Sequence, residues 1–104
     1  MKIKNQGLLI DVYAIYWVNG DTLFLGMPRN YGGLLAYDAK QIEVIEHNLS
    51  GDFIYFQNNG IDGIYHSALI KEKLLDDILE LDETAYQRFL EILKAEGSID
   101  QDFY

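Results

Sequence analysis

Between residues 11 and 24 the chain reads DVYAIYWVNGDTLF, with apolar or aromatic side chains on both sides of what the pattern predicts is a strand. Successive side chains of a strand point to opposite faces, so a strand covering one core needs only one apolar face. Asn19-Gly20 predicts a two-residue hairpin, because both central residues of a type I′ turn take positive φ. Closing the turn there sets Val18 opposite Asp21, Trp17 opposite Thr22, Tyr16 opposite Leu23, Ile15 opposite Phe24 and Ala14 opposite Leu25. One face then carries Val12, Ala14, Tyr16, Leu23, Leu25 and Met27. The other carries Tyr13, Ile15, Trp17 and Phe24.

MPRNYGG (27 to 33) breaks the alternation with a proline and a Gly pair and predicts a loop. LLAYD (34 to 38) and QIEVIE (41 to 46) follow as short strands, with a turn over Asp38, Ala39 and Lys40. HNLSGD (47 to 52) is a turn and FIYFQ (53 to 57) a strand by its aromatic and β-branched content. NNGIDG (58 to 63) reads as a loop, with at most a short extended piece at Ile64-Tyr65. At Ser67, a plausible N-cap, the period becomes helical: Ile70, Leu74, Leu75, Ile78 and Leu81 share one stripe. Asp82 predicts the N-cap of a second helix with Tyr86, Phe89, Leu90 and Leu93 on one side, stopped by Gly97.

The sum is a single α+β domain over residues 1–104. It has a twisted antiparallel sheet of about five strands within residues 7–65, helices over 67–80 and 83–96, and a tail over 98–104. The tail either frays or docks through Ile99, Phe103 and Tyr104. The helices cover one sheet face. The other face is either buried as the sheet curls into a partly closed barrel or shown to a partner; the scarcity of large apolar patches on monomers favours the first. Trp17 then belongs to the core, and its loss is expected to cost about 3–5 kcal/mol.

Seventeen acids against eight bases give a net charge of −9, which changes the picture most. Such a surface repels nucleic acid and anionic membranes and draws a basic partner. The chain has no cysteine, which excludes disulfides and thiolate metal sites and fits a reducing cytoplasm. Lys2 and Lys4 ahead of Leu8, Leu9 and Ile10 imitate a signal peptide, but Asp11 ends the apolar run, and an ordinary first strand is expected. No apolar stretch is long enough to span a bilayer as a helix.

Candidate chemistry is sparse. RNYGG offers Arg29 and the amides of Gly32 and Gly33 to an anion but lacks the Gly-Lys-Ser/Thr ending of a phosphate loop, so a strand connection is expected. NNGIDG lacks the ligand pattern of a calcium loop. His47 and His66 read as polar loop histidines without metal-ligand spacing. None of Ser50, Ser67 and Ser98 sits in a nucleophile elbow. No catalytic residue, metal or cofactor is therefore expected, and the chain does not read as an enzyme.

Acids and aromatics remain. DDILELDET (76 to 84) holds Asp76, Asp77, Glu80, Asp82 and Glu83 with no base, although Asp82 and Glu83 also suit the start of a helix. Glu43, Glu46 and Asp52 form a second group. Eight tyrosines and a tryptophan are ample hot-spot material for a binding surface. In length, acidity, lack of cysteine, tyrosine-rich strands and α+β order, the whole chain resembles the bacterial immunity proteins of polymorphic toxin and contact-dependent inhibition systems. The resemblance implies a cytoplasmic inhibitor whose partner is a cognate toxin domain, a basic nuclease being the expected kind. Asp76, Asp77, Glu80 and Glu83 with Tyr31 and Tyr37 are the expected contact residues. Another acidic interaction module, a small-ligand domain and a subunit of a homo-oligomer stay open beside it.

Overall fold

The computed structural model describes residues 1–49 and 51–104; Ser50, in the turn expected over 47 to 52, lies outside the described residues. The architecture is α+β, and the described residues form an open antiparallel sheet of seven strands and three helices. The strands are β1 (Lys2–Asn5), β2 (Leu8–Val18), β3 (Asp21–Met27), β4 (Leu35–Asp38), β5 (Glu43–Glu46), β6 (Phe53–Asn58) and β7 (Ile61–His66). A 3₁₀ turn (Ala39–Gln41) joins β4 to β5. The helices are α1 (Ser67–Lys71), α2 (Leu75–Leu79) and α3 (Glu83–Glu96). No helix among the described residues is long and apolar enough to cross a membrane.

Asn19 and Gly20 both take positive φ, and the β2–β3 register is the one that this turn dictates, from Val18 opposite Asp21 to Ala14 opposite Leu25. The same device recurs twice. Gln6-Gly7 closes β1 on β2, and Asn59-Gly60 closes β6 on β7, again with positive φ at both central residues. The expected loop over 58 to 63 is therefore a tight turn plus the first half of β7, and the sheet begins at Lys2 rather than near residue 7. Both Gly60 and Gly63 imitate a loop in the sequence, but Gly63 is a packing residue. A Cβ there would meet Tyr16 Cβ at 2.9 Å and the Ile15 carbonyl at 3.0 Å.

Beyond Ala14 the register shifts, with Val12 opposite Gly26, so Tyr13 is an extra residue in β2. Such a bulge reverses the phase of the side chains before it. Val12 therefore joins Ile3, Ile10 and Phe24 on the face away from the helices, while Tyr13 turns toward them beside Ala14. Hairpin pairing alone had placed these two residues the other way round.

The sheet also forks at the bulge. On one edge of β2, residues 8–11 pair with β1, while Ala14–Tyr16 pair with β7. The order β4-β3-β2-β1-β5 puts two consecutive strands at opposite ends of a five-strand row. Because one 3₁₀ turn links them, the row must curl. Ala39, Ile42 and Val44 thereby come to lie on Ile3, Ile10, Val12 and Phe24. The second face is covered there without the sheet closing. Its other half, past the bulge, stays open: Trp17 is 42% exposed and is not a core residue.

The helical region departs from one continuous helix over 67–80. His66, not Ser67, caps α1, its Nδ1 accepting the Ala68 N–H at 3.1 Å. Lys73 then takes a left-handed φ of 55°; its N–H bonds to the Ile70 carbonyl and that of Leu74 to the Leu69 carbonyl. This is a Schellman stop with a lysine at the position glycine usually fills. Leu81 (φ 64°) ends α2 in the same way, with Leu81 N–H on Ile78 and Asp82 N–H on Asp77. Leu74, Leu75 and Ile78 are buried as the stripe required, but Leu81 is 52% exposed. α3 fits its expected bounds, with Asp82 accepting the Ala85 N–H at 2.8 Å and Gly97 in the left-handed region. Tyr86, Phe89, Leu90 and Leu93 are buried against Tyr13, Leu25 and Met27 in the main core. The tail docks through Ile99 and Phe103.

Two outcomes are expected. Lys73→Gly relieves a left-handed side-chain residue and should raise the unfolding free energy by about 0.5–1 kcal/mol; a urea midpoint at or below wild type would contradict this. Trp17→Ala should cost well under about 3 kcal/mol, the lower end for a buried aromatic, as read by the same titration.

Candidate functional site

Five of the eight bases are engaged in ion pairs scattered over the molecule: Lys2 with Asp11, Arg29 with Asp100, Lys40 with Asp21, Lys71 with Asp52, and Arg88 with Glu72 and Glu91. The Arg88 guanidinium grips Glu72 with two bonds, at 2.8 and 3.2 Å. None of these pairs takes up an acid of the α2–α3 corner. Asp76 and Asp77 stand exposed in the first turn of α2, Glu80 caps its end and Glu83 opens α3, and none makes an ion pair among the described residues. Asp82, the fifth acid of this run, is consumed as the α3 cap.

The Schellman stop at Leu81 turns that side chain outward and lays it on Gly33. A Cβ at Gly33 would sit 2.8 Å from Leu81 Cδ2 and 3.5 Å from Tyr31 Cε2, so both side chains lie over this glycine. Leu79, 44% exposed, adds a second apolar side chain to the same acidic run. The fold thus brings Tyr31 to Leu81, at the end of α2. Tyr37 lies on the other sheet face, its ring 2.9 Å from where a Cβ on Gly26 would be, packed with Phe24 and Ile10. Burial raises its hydroxyl pKa, with Tyr31 adding a smaller push. Tyr37 is a packing residue on β4. Sequence reading missed Leu79 and Leu81 as surface groups, since both sit at positions compatible with an apolar helix stripe.

Beside this corner runs an apolar groove. One part, of about 220 Å³, is lined by Phe56 and Asn58 of β6 and by Ile70, Lys73, Leu75 and Asp76. A second part, of about 200 Å³, shares Asn58 and Leu75 with the first and is lined also by Tyr16, Ile61 and Leu79. Asp76 therefore stands on the rim of an apolar trough.

The residues singled out for catalysis have structural posts. Arg29 lies 4.7 Å over the Phe103 ring and bonds Asp100 at 3.1 Å, while the Asn30 N–H donates to the Tyr104 carbonyl. The RNYGG segment is thus the clasp of the tail. His66 is not a polar loop residue: it is buried, edge-on to Tyr13, Phe53 and Phe89, with Glu96 oxygens 3.1 Å from Nε2. Since Nδ1 accepts the Ala68 N–H, the ring proton sits on Nε2 and is donated to Glu96. His66 so ties β7, α1 and α3 together where the sheet forks. Among the described residues no three His, Asp or Glu side chains gather as a metal site would require.

Two buried phenols carry a measurable signature. Burial raises the Tyr13 pKa strongly, with Asp11 adding to it. It pushes Tyr86 up to about 12, with Tyr104 adding to it. The Tyr86 hydroxyl is fully buried and makes no hydrogen bond among the described residues. Tyr86→Phe is therefore expected to stabilise the fold by about 1 kcal/mol, the cost of an unmatched buried polar group. The folded state binds these phenolic protons more tightly than the unfolded chain. Stability is thus whole below pH 10 and lost as pH rises through about 12, and Tyr86→Phe should lessen the loss. Alkaline unfolding followed by circular dichroism reads both effects; a destabilised Tyr86→Phe protein would contradict the assignment.

No family model, curated protein or solved structure matches this chain.

Proposed function

We propose that the protein is an immunity-type inhibitor that binds a basic toxin domain, a nuclease in the first instance, in the cytoplasm. It acts by steric and electrostatic blockade without catalysis. One observation carries the reading: among the described residues four carboxylates, Asp76, Asp77, Glu80 and Glu83, stay unpaired around exposed Leu79, Leu81 and Tyr31, while most bases are tied up elsewhere. Carboxylates at such a surface take bidentate arginine contacts of the kind that hold phosphate in a nuclease cleft. Adjacent aliphatic and aromatic groups add the desolvated area that makes such an encounter last. The net charge of −9 steers a cationic partner toward the molecule.

The experiment expresses the C-terminal region encoded by the neighbouring upstream gene, with and without this protein, and scores growth and co-purification. Relief of killing with a stable pair supports the reading; toxicity that the protein leaves untouched overturns it. In the purified pair, reversal of Asp76, Asp77, Glu80 and Glu83 to lysine should slow association about ten-fold or more at low salt and flatten its salt dependence. Association rates equal to wild type would remove this corner from the interface.

A further inference from the structure

Among the described residues three strand edges are free: β4, β5 and β6. Natural sheets blunt such edges with shortness, charge, proline or a bulge, because unpaired N–H and C=O groups recruit further strands. β4 has four residues and ends in Asp38; β5 has four and carries Glu43 and Glu46. β6 has none of these devices. Its six residues, FIYFQN, contain no charge, proline or glycine and pair with β7 without a register break.

The turn at Asn59-Gly60 fixes which groups of β6 are spare. In a two-residue hairpin the flanking residues form a hydrogen-bonded pair, and bonding then alternates. Asn58, Phe56 and Ile54 accordingly bond to β7, and the N–H and C=O groups of Phe53, Tyr55 and Gln57 point outward. The two sides of this edge differ in chemistry. On one side Phe56 forms a wall of the 220 Å³ groove with Ile70 and Leu75. On the other, Tyr55 is 64% exposed with its hydroxyl on Asp62 at 2.6 Å. Gln57 donates to the same Asp62 oxygen at 3.1 Å, and Asp62 has no cationic partner among the described residues.

The geometry points to β6 as a docking edge for an extended segment of a partner protein in which aliphatic and basic residues alternate. The segment adds antiparallel as an eighth strand. Its aliphatic side chains enter the groove at Phe56, Ile70 and Leu75, and its basic ones meet Tyr55 and Asp62 on the other side. Main-chain bonds supply affinity and the alternate side chains supply selectivity. Charge argues against a second copy of this chain as the occupant, since two molecules of −9 repel. The inference rests on the proposed basic partner only for the sign of the segment's charge.

A synthetic octapeptide of alternating valine and lysine, blocked at both ends, is titrated at low salt into the isotope-labelled full chain and followed by amide shifts and hydrogen exchange. Exchange at the Tyr55 and Gln57 amides should slow on binding. The same peptide methylated at its lysine backbone nitrogens should not bind, since in antiparallel register those amides face β6. Gln57→Pro removes an outward N–H together with the side-chain bond to Asp62, and leaves the bonds to β7 in place, while Tyr55→Lys places a charge on the edge; each should weaken binding about ten-fold or more. Equal binding by the methylated peptide, wild-type affinity in both variants, or shifts confined to Asp76, Asp77, Glu80 and Glu83 would overturn the inference. So would a two-chain mass of the free protein with the Tyr55 amide already protected, which gives the edge to a second copy. Because the probe is a peptide, its failure to bind leaves the toxin test standing, and an unneutralised toxin leaves the peptide result standing.

Discussion

The molecule depends on what a single strand has to do. β2 pairs with β3 along one edge and with both β1 and β7 along the other, and it supplies side chains to cores on both of its faces. A regular strand of this composition would send Val12 into the helical core and Tyr13 to the opposite side. The bulge at Tyr13 exchanges them. An aliphatic residue then enters the small second core, and a large aromatic reaches Phe89 and His66, with the ring centroids of Tyr13 and Phe89 5.4 Å apart. The added twist at a bulge also suits the fork, since β1 and β7 leave β2 on either side of it. His66 fills the gap this creates, and through Glu96 it fastens the long helix to the sheet.

Local signals in the sequence were legible where the chemistry is local. Asn19-Gly20 specified its turn and the register of the five pairs up to the bulge, and Asp82 and Gly97 marked α3 to the residue. The bulge itself leaves no trace, because Val12, Tyr13 and Ala14 are all acceptable on a buried face. The break between α1 and α2 was hidden for a related reason. Helix stops of this kind are announced by glycine, and here lysine and leucine take the left-handed position while the apolar period runs on through them. β1, with its two lysines, and β7, with Gly60 before it and Gly63 within it, were masked by composition. Of the candidate site, the acids could be read from charge alone. The groove could not, since it joins β6 to α2 across the chain, and Tyr37 could not be told from Tyr31 without knowing which sheet face each occupies.

The surface is organised by where the bases are spent. Arg29 and Arg88, the two residues best suited to bind carboxylates, serve the tail and the α1–α3 packing respectively. What they leave bare is a corner where carboxylates alternate with exposed leucines. A purely solubilising surface has no use for Leu79 and Leu81 in that setting, and a purely structural one would have buried them. Leu75 and Leu79, which line the groove beside it, belong to the same helix as Asp76 and Asp77. The same short helix thus borders both surfaces.

The three tight turns have a kinetic meaning. β1–β2, β2–β3 and β6–β7 each close through two residues, so these hairpins assemble without a large loss of chain entropy. The pairing of β5 with β1 is different: Ile3 meets Val44 only after some forty intervening residues have been gathered in. The second core, to which both belong, forms only when that ring of contacts is joined. Until then Ile10, Val12 and Phe24 face water in an otherwise well-formed hairpin. The part of the fold that hides the second face is therefore sealed later than the hairpins that bear it, and a chain emerging in order displays that apolar strip before residues 39–44 arrive to cover it.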